Sequence, residues 1–182
     1  MIMRNEKKWC EKIEPLVIKK LFTPRIIKDF EVLQLKPEIN ENNLFIYGSK
    51  KATGKTLFAC QVLLGWEKKS YLQNLNLTTC FITLSTLLNE LKSAFSKEDG
   101  EMEVLQKYQG VDVLVLDDFG VFKISEWTYV TIYNLLNYRY EHLKTTIFTS
   151  NFSIAELQEF WQDDRITSRI SRMCVMLKKE RI

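Results

Sequence analysis

The sequence predicts an α/β fold, with a parallel sheet held between helices. Three observations carry that reading. Short apolar, β-rich runs recur along the chain, and segments with apolar residues at helical spacing alternate with them. The first junction between such a run and such a segment holds two of the six glycines, Gly48 and Gly54.

The elements follow in order. Residues 44–47 (Leu-Phe-Ile-Tyr) form an apolar run that ends at Gly48, and residues 56–68 carry Leu57, Cys60, Leu64 and Glu67 at helical spacing. Residues 79–84 read as the second strand, followed by Leu87, Leu88, Leu91 and Phe95 on one helical face. Residues 96–103 are polar and charged and read as a mobile loop. Residues 111–116 are the most strand-like segment and run into Asp117-Asp118. A helix over 126–143 repeats Ile132, Leu135, Leu136, Tyr140 and Leu143 with a period near 3.6. Residues 145–149 give a β-branched strand, and 154–161 a short helix with Asn151 or Ser153 as its candidate cap.

The first 43 residues look different. Pro15, Pro24 and Pro37 mark an irregular lead-in, so the chain divides into a lead-in or partner segment, 1–43, and a core, 44–182. Within the lead-in, Trp9, Ile13, Leu16, Val17 and Lys20 lie at helical positions interrupted by Pro15. Two readings stand open: an interaction helix for a partner, or a segment packed on the core.

Composition narrows the class. With 182 residues, 46% of them hydrophobic, and a net charge of +3, whole-chain disorder is excluded. No apolar run approaches the ~20 residues of a membrane span, and no apolar h-region follows the N-terminus, so a soluble, cytoplasmic protein without a membrane partner is expected. The four cysteines, Cys10, Cys60, Cys80 and Cys174, are far apart and the one histidine is His142, which argues against a structural zinc site. They read as buried thiols in a reducing compartment.

The chemistry concentrates in Gly48-Ser49-Lys50-Lys51-Ala52-Thr53-Gly54-Lys55-Thr56, at the end of a strand and the start of a helix. There the backbone N–H groups can turn around a phosphate and the helix adds the positive end of its dipole. Lys55 can reach the β- and γ-phosphates and Thr56 can offer its hydroxyl to Mg²⁺. The P-loop pattern has four residues between its glycines and this loop has five, so either one residue is inserted or Ser49 stands for the first glycine. Asp117, at the end of a neighbouring strand, can hold the Mg²⁺ shell, and Asp118 can orient an attacking water. ATP and Mg²⁺ are therefore the expected ligands of a P-loop NTPase fold.

With these motifs in order, the chain from Leu44 onward resembles the AAA+ ATPase core of bacterial replicative-helicase loaders of the DnaC/DnaI type, and is also similar to ATPases of insertion-sequence transposition of the IstB type. Further matching stretches are Phe119-Gly120, Ser125-Glu126-Trp127, Asn137-Tyr138-Arg139-Tyr140, Thr149-Ser150-Asn151-Phe152 and Asp164-Arg165-Ile166-Thr167-Ser168-Arg169-Ile170. The resemblance implies nucleotide contacts from Gly48 through Leu57. It makes Asn151 the sensor that reads the γ-phosphate, Arg169 the arginine finger entering a neighbour's site with Arg165 as its competitor, and Arg181 a last nucleotide-sensing arginine. Asp118 stands where many relatives carry Glu, a side chain one methylene longer. By the same resemblance, 174–177 is the fifth strand of a five-stranded parallel sheet between helices, and a helical lid after it is expected to be reduced or absent.

The implied activity is ATP hydrolysis in DNA replication, by a homo-oligomer on single-stranded DNA, with a replicative helicase or another replication protein as partner. No run exceeds two consecutive Lys or Arg, so the expected DNA surface belongs to the assembly. A transposition helper on duplex DNA and a nucleotide-switched adaptor with little hydrolysis are the alternatives.

Overall fold

The computed structural model describes residues 2–33, 36–38, 40, 42–48, 53–120 and 125–179. Five strands, β1 (Leu44–Tyr47), β2 (Thr79–Thr83), β3 (Val113–Asp117), β4 (Thr145–Ser150) and β5 (Val175–Lys178), form one parallel sheet in the order β2-β3-β4-β1-β5. Every strand is joined to the next through helices, as parallel pairing demands. The three site-bearing strands, β3, β4 and β1, are adjacent, so their C-terminal ends meet at one edge.

Alternation along the strands builds two cores. Leu44, Ile46, Val113, Val115 and Ile147 face one side, where Ala59, Cys60, Val62, Leu63 and Leu64 of α4 (Lys55–Gln73) cover them. Phe45, Leu114, Leu116 and Phe148 face the other side, covered by α5 (Leu84–Ser93), α6 (Gly100–Gly110), α7 (Glu126–Glu141), α8 (Ile154–Trp161) and α9 (Arg165–Met173). All five residues of β3 are buried, which explains its uninterrupted apolar run. Each fully buried Leu, Val or Phe contributes about 1.5–3 kcal/mol.

Residues 2–33 are largely helical, contrary to the irregular lead-in expected there, while the described residues between 36 and 43, Pro37 among them, are irregular as expected. Helix α1 (Ile2–Lys8) passes through a π-helical turn (Trp9–Ile13) into α2 (Glu14–Leu21), and α3 (Pro24–Leu33) follows. Pro15 lies in the first turn of α2 and Pro24 opens α3, positions where a missing N–H costs nothing. Trp9, Phe22 and Ile26 are buried in the cluster that α4 shares, with Trp9 against Tyr71 at 5.5 Å.

Other expectations change in detail. The predicted loop over 96–103 is half helix, because α6 begins at Gly100. Glu101 and Glu103 suit the positive end of that helix, and Leu105 and Tyr108 supply its buried face. Phe95 lies past the end of α5 and is exposed, and Leu143 lies past α7 with 91% of its surface free. Cys60 is buried and Cys80 and Cys174 half-buried, but Cys10 is exposed. Among the described residues no helix is long and apolar enough to cross a membrane.

One ion pair ties the far end of the sheet. Lys144 Nζ donates to Asp112 Oδ1 at 2.7 Å, while the N–H and hydroxyl of Thr78 donate to Oδ2. Burial pushes the Asp112 carboxyl up, but these bonds and the Lys144 charge outweigh it and bring it down to about 2. A depressed carboxylate contributes stability above its unfolded value and loses it as pH falls through the folded one. Asp112→Asn is therefore expected to remove about 1 kcal/mol of stability at pH 7 and only a small part of that at pH 2, where the contribution is fading. Urea melts at the two pH values check this, and an equal loss at both would refute it.

Candidate nucleotide site

Gly48 follows β1, and its N–H donates to Ser150 O at 3.2 Å across to β4. A Cβ there would sit 2.3 Å from the backbone oxygen of Lys179, whose own N–H bonds Tyr47 O at 2.7 Å. Gly48 is thus needed for the approach of the segment following β5, whichever residue fills the first-glycine role. Ser49, Lys50, Lys51 and Ala52 lie outside the described residues, as does Arg181.

The loop re-emerges at Thr53 and Gly54, with Gly54 at φ +75° as the N-cap of α4. Lys55 opens the helix. Its Nζ reaches back to Gly48 O at 3.0 Å and to Thr53 Oγ1 at 3.2 Å, so one buried ammonium joins both ends of the loop. Burial lowers its pKa, and the charges of Asp118 and Asp117 oppose that shift. Leu57 is half-buried one turn into the helix.

Thr56 Oγ1 donates to Asp117 Oδ1 at 3.0 Å, joining α4 to the end of β3. The same Oδ1 accepts the hydroxyl of Thr149 on β4 at 2.5 Å. Asp117 is buried, which raises its pKa; the Thr149 bond lowers it, the Asp118 charge raises it again, and the bonds from Thr56 and the Asp118 N–H lower it. Asp118 is exposed one residue beyond the strand, at φ +56°, and its N–H donates to Thr149 Oγ1 at 3.0 Å. Next to it, Phe119 N–H donates to Thr149 O at 2.7 Å and Ser150 Oγ to Phe119 O at 2.7 Å.

Asn151 follows directly, half-buried at the end of β4. It is not the cap of α8. Ser153 is, and Glu156 completes a capping box with it. Lys55, Thr56, Asp117, Asp118 and Asn151 therefore gather where β1, β3 and β4 end. Thr56, Asp117 and Asp118 are oxygen donors suited to a hard cation such as Mg²⁺, and the N-terminus of α4 suits a phosphate.

The two candidate finger arginines stand on α9. Arg165 pairs with Asp163 at 2.8 Å and lies over the Tyr129 ring at 5.0 Å. Arg169 lies over Tyr140 at 4.6 Å and pairs with no carboxylate among the described residues. Neither contacts Lys55, Asp117 or Asp118 within the chain.

Two residues escaped the sequence reading. Thr149 touches both acidic positions, and Arg139 is fully buried with its guanidinium on the carbonyls of Tyr108, Gln109, Val111 and Thr145 and the hydroxyl of Thr146. Both lay in quoted motifs, but only the fold reveals what they hold.

Comparison with known proteins agrees with this geometry. Residues 10–176 match the family described as IstB-like ATP binding protein. Among curated relatives, YqaM of Bacillus subtilis is 26% identical over 152 residues, 81% of this chain and 44% of that protein. The putative ATP-binding protein of insertion sequence IS232 from Bacillus thuringiensis is 29% identical over 134 residues, 73% of this chain and 49% of that one. The chain thus spans about half the length of these relatives. Among solved structures, the DnaC helicase loader superposes with a TM-score of 0.63 at 28% identity, over 85% of this chain and 86% of that one.

Proposed function

The chain belongs to the family of IstB-like ATP-binding proteins, and from that premise we propose that it hydrolyses ATP in the cytoplasm as an oligomeric, helicase-loader-like factor of DNA replication, assembling on single-stranded DNA. The observation that carries this reading is the convergence of Lys55, Thr56 and Asp117 with Asp118 and Asn151 at adjacent strand ends. An ATP triphosphate fits the N-terminus of α4, where Lys55 exchanges Gly48 O for phosphate oxygens. Thr56 and Asp117 would hold Mg²⁺, which when bound would offset negative charge on the triphosphate. The Asp118 carboxylate orients a water toward the γ-phosphorus, and the bond to the bridging oxygen breaks as the new one forms. Asn151 contacts the γ-phosphate, and Arg169 of one subunit serves the site of the next.

This division of labour leaves residues 44–182 as the ATPase core and 1–43 as a cover that also meets partners. Arg169→Ala is expected to leave ATP affinity unchanged and to abolish the extra turnover that appears on assembly. Turnover measured across a protein concentration series reads this; a mutant that still accelerates with concentration would overturn the finger assignment.

The kinship with an insertion-sequence ATP-binding protein favours a second reading, a transposition helper on duplex DNA. Steady-state ATP turnover separates the two. Stimulation by single-stranded DNA, with capture of a replicative helicase, supports the first. Stimulation by duplex alone supports the second, and ATP binding without turnover on either DNA supports a nucleotide-switched adaptor.

A further inference from the structure

Thr149 occupies an unusual place: a buried hydroxyl between the two acidic positions, used by neither the phosphate loop nor the sheet ladder. A threonine hydroxyl has one proton to give and two lone pairs to accept with. The Asp118 N–H brings its own proton to Thr149 Oγ1 at 3.0 Å, so the hydroxyl proton must go to Asp117 Oδ1. The direction of both bonds is thereby fixed, and such chained bonds strengthen one another.

Each end of this relay has a consequence. At one end, Asp117 Oδ1 receives two hydroxyls, Thr149 from β4 and Thr56 from α4, which set the plane of a buried carboxylate. At the other end, the peptide of Asp118 is held at φ +56°, a left-handed conformation that is uncommon for non-glycine residues and that Asp tolerates better than most. Phe119 N–H on Thr149 O and Ser150 Oγ on Phe119 O close the turn behind it. The turn that carries Asp118 is thus clamped to β4, directly before Asn151.

We infer that Thr149 is a positioning residue for the nucleotide site, acting through its hydroxyl to aim the Asp117 carboxylate at the cation and to hold Asp118 in its left-handed turn. The inference rests on the proposed role of Asp117 in holding Mg²⁺. Thr149 touches no reactant itself. Its effect passes through the two acids, as outer partners of metal ligands do when their loss costs about 10–100-fold in affinity or activity.

The test compares Thr149→Val, which keeps the shape and removes the hydroxyl, with Thr149→Ser, which keeps the hydroxyl. A fluorescent ATP analogue titrated at a series of Mg²⁺ concentrations gives the half-saturating Mg²⁺ for nucleotide binding without requiring turnover. For Thr149→Val it is expected to rise about tenfold, with affinity in excess EDTA unchanged, and Thr149→Ser should return it to the wild-type value. Where the wild type turns over, kcat of the valine variant should fall at least about tenfold at little change in KM. An unchanged Mg²⁺ requirement in Thr149→Val overturns the inference. So does an equal rise in both variants with an equal fall in melting temperature, which marks a packing role alone. Absence of turnover in the wild type would bear on the ATPase reading and leave the Mg²⁺ titration to decide this one.

Discussion

Lys55→Ala is expected to weaken ATP binding about 100-fold, equivalent to about 2.7 kcal/mol, and to reduce turnover to background. The ammonium is placed to receive a phosphate. It is buried, it sits at the positive end of α4, and it reaches across the loop to the Gly48 carbonyl and the Thr53 hydroxyl. Burial pulls its pKa down despite two nearby carboxylates. A cation in such a place adds little to the folded state and much to a bound triphosphate. The variant should therefore melt within a few degrees of the wild type and show no thermal shift with Mg-ATP. Nucleotide titration and calorimetry check both halves, and an undiminished affinity would remove Lys55 from the site.

Arg139→Met is expected to destabilise the fold by about 3–5 kcal/mol, lowering the melting temperature by about 10 °C. The guanidinium binds carbonyl oxygens at the C-terminus of α6, Tyr108 at 2.9 Å and Val111 at 2.7 Å, together with Thr145 O and Thr146 Oγ1 at the start of β4. Its charge meets the negative end of a helix rather than a carboxylate in contact, with Asp112 close enough to favour it. Burial still pushes its pKa down to about 10, so it remains charged at neutral pH. Methionine fills the volume and leaves these acceptors without donors. Lysine, a compact charge without the planar fork, should recover only part of the loss. Guanidinium melts of the three proteins measure it, and a loss below about 1 kcal/mol would mean that water satisfies the oxygens.

The contrast between these two residues shows what a sequence exposes. Lys55 was legible because a strand, a tight glycine-bearing turn and a helix must follow in fixed order for a phosphate loop, and each leaves a local pattern. β1 and β3 were legible for a similar reason, since strands buried on both faces carry unbroken apolar runs, and β4 showed through its β-branched residues. Arg139 sits among aromatic residues on α7 and looks like a surface charge until α6 ends against it. Thr149 reads as an ordinary β-former, since the partner of its hydroxyl lies on another strand 32 residues away in sequence. α6 was half hidden because its acidic first turn resembles a loop, and Pro15 and Pro24 misled because proline marks a helix start as readily as a break.

The strand order described above also governs when the site can come into being during folding. β1 holds the start of the phosphate loop, yet it pairs only with β4 and β5, and the bond between Asn43 and Thr146 spans 103 residues. Contacts at such separation must meet a large loop-closure entropy before they return any energy, so β1 is a late arrival in the folding sheet. A chain still leaving the ribosome thus carries its glycine turn long before it can grip a nucleotide. ATP added to a refolding reaction should accelerate nothing until β4 has docked, and should then act as a ratchet on the finished sheet.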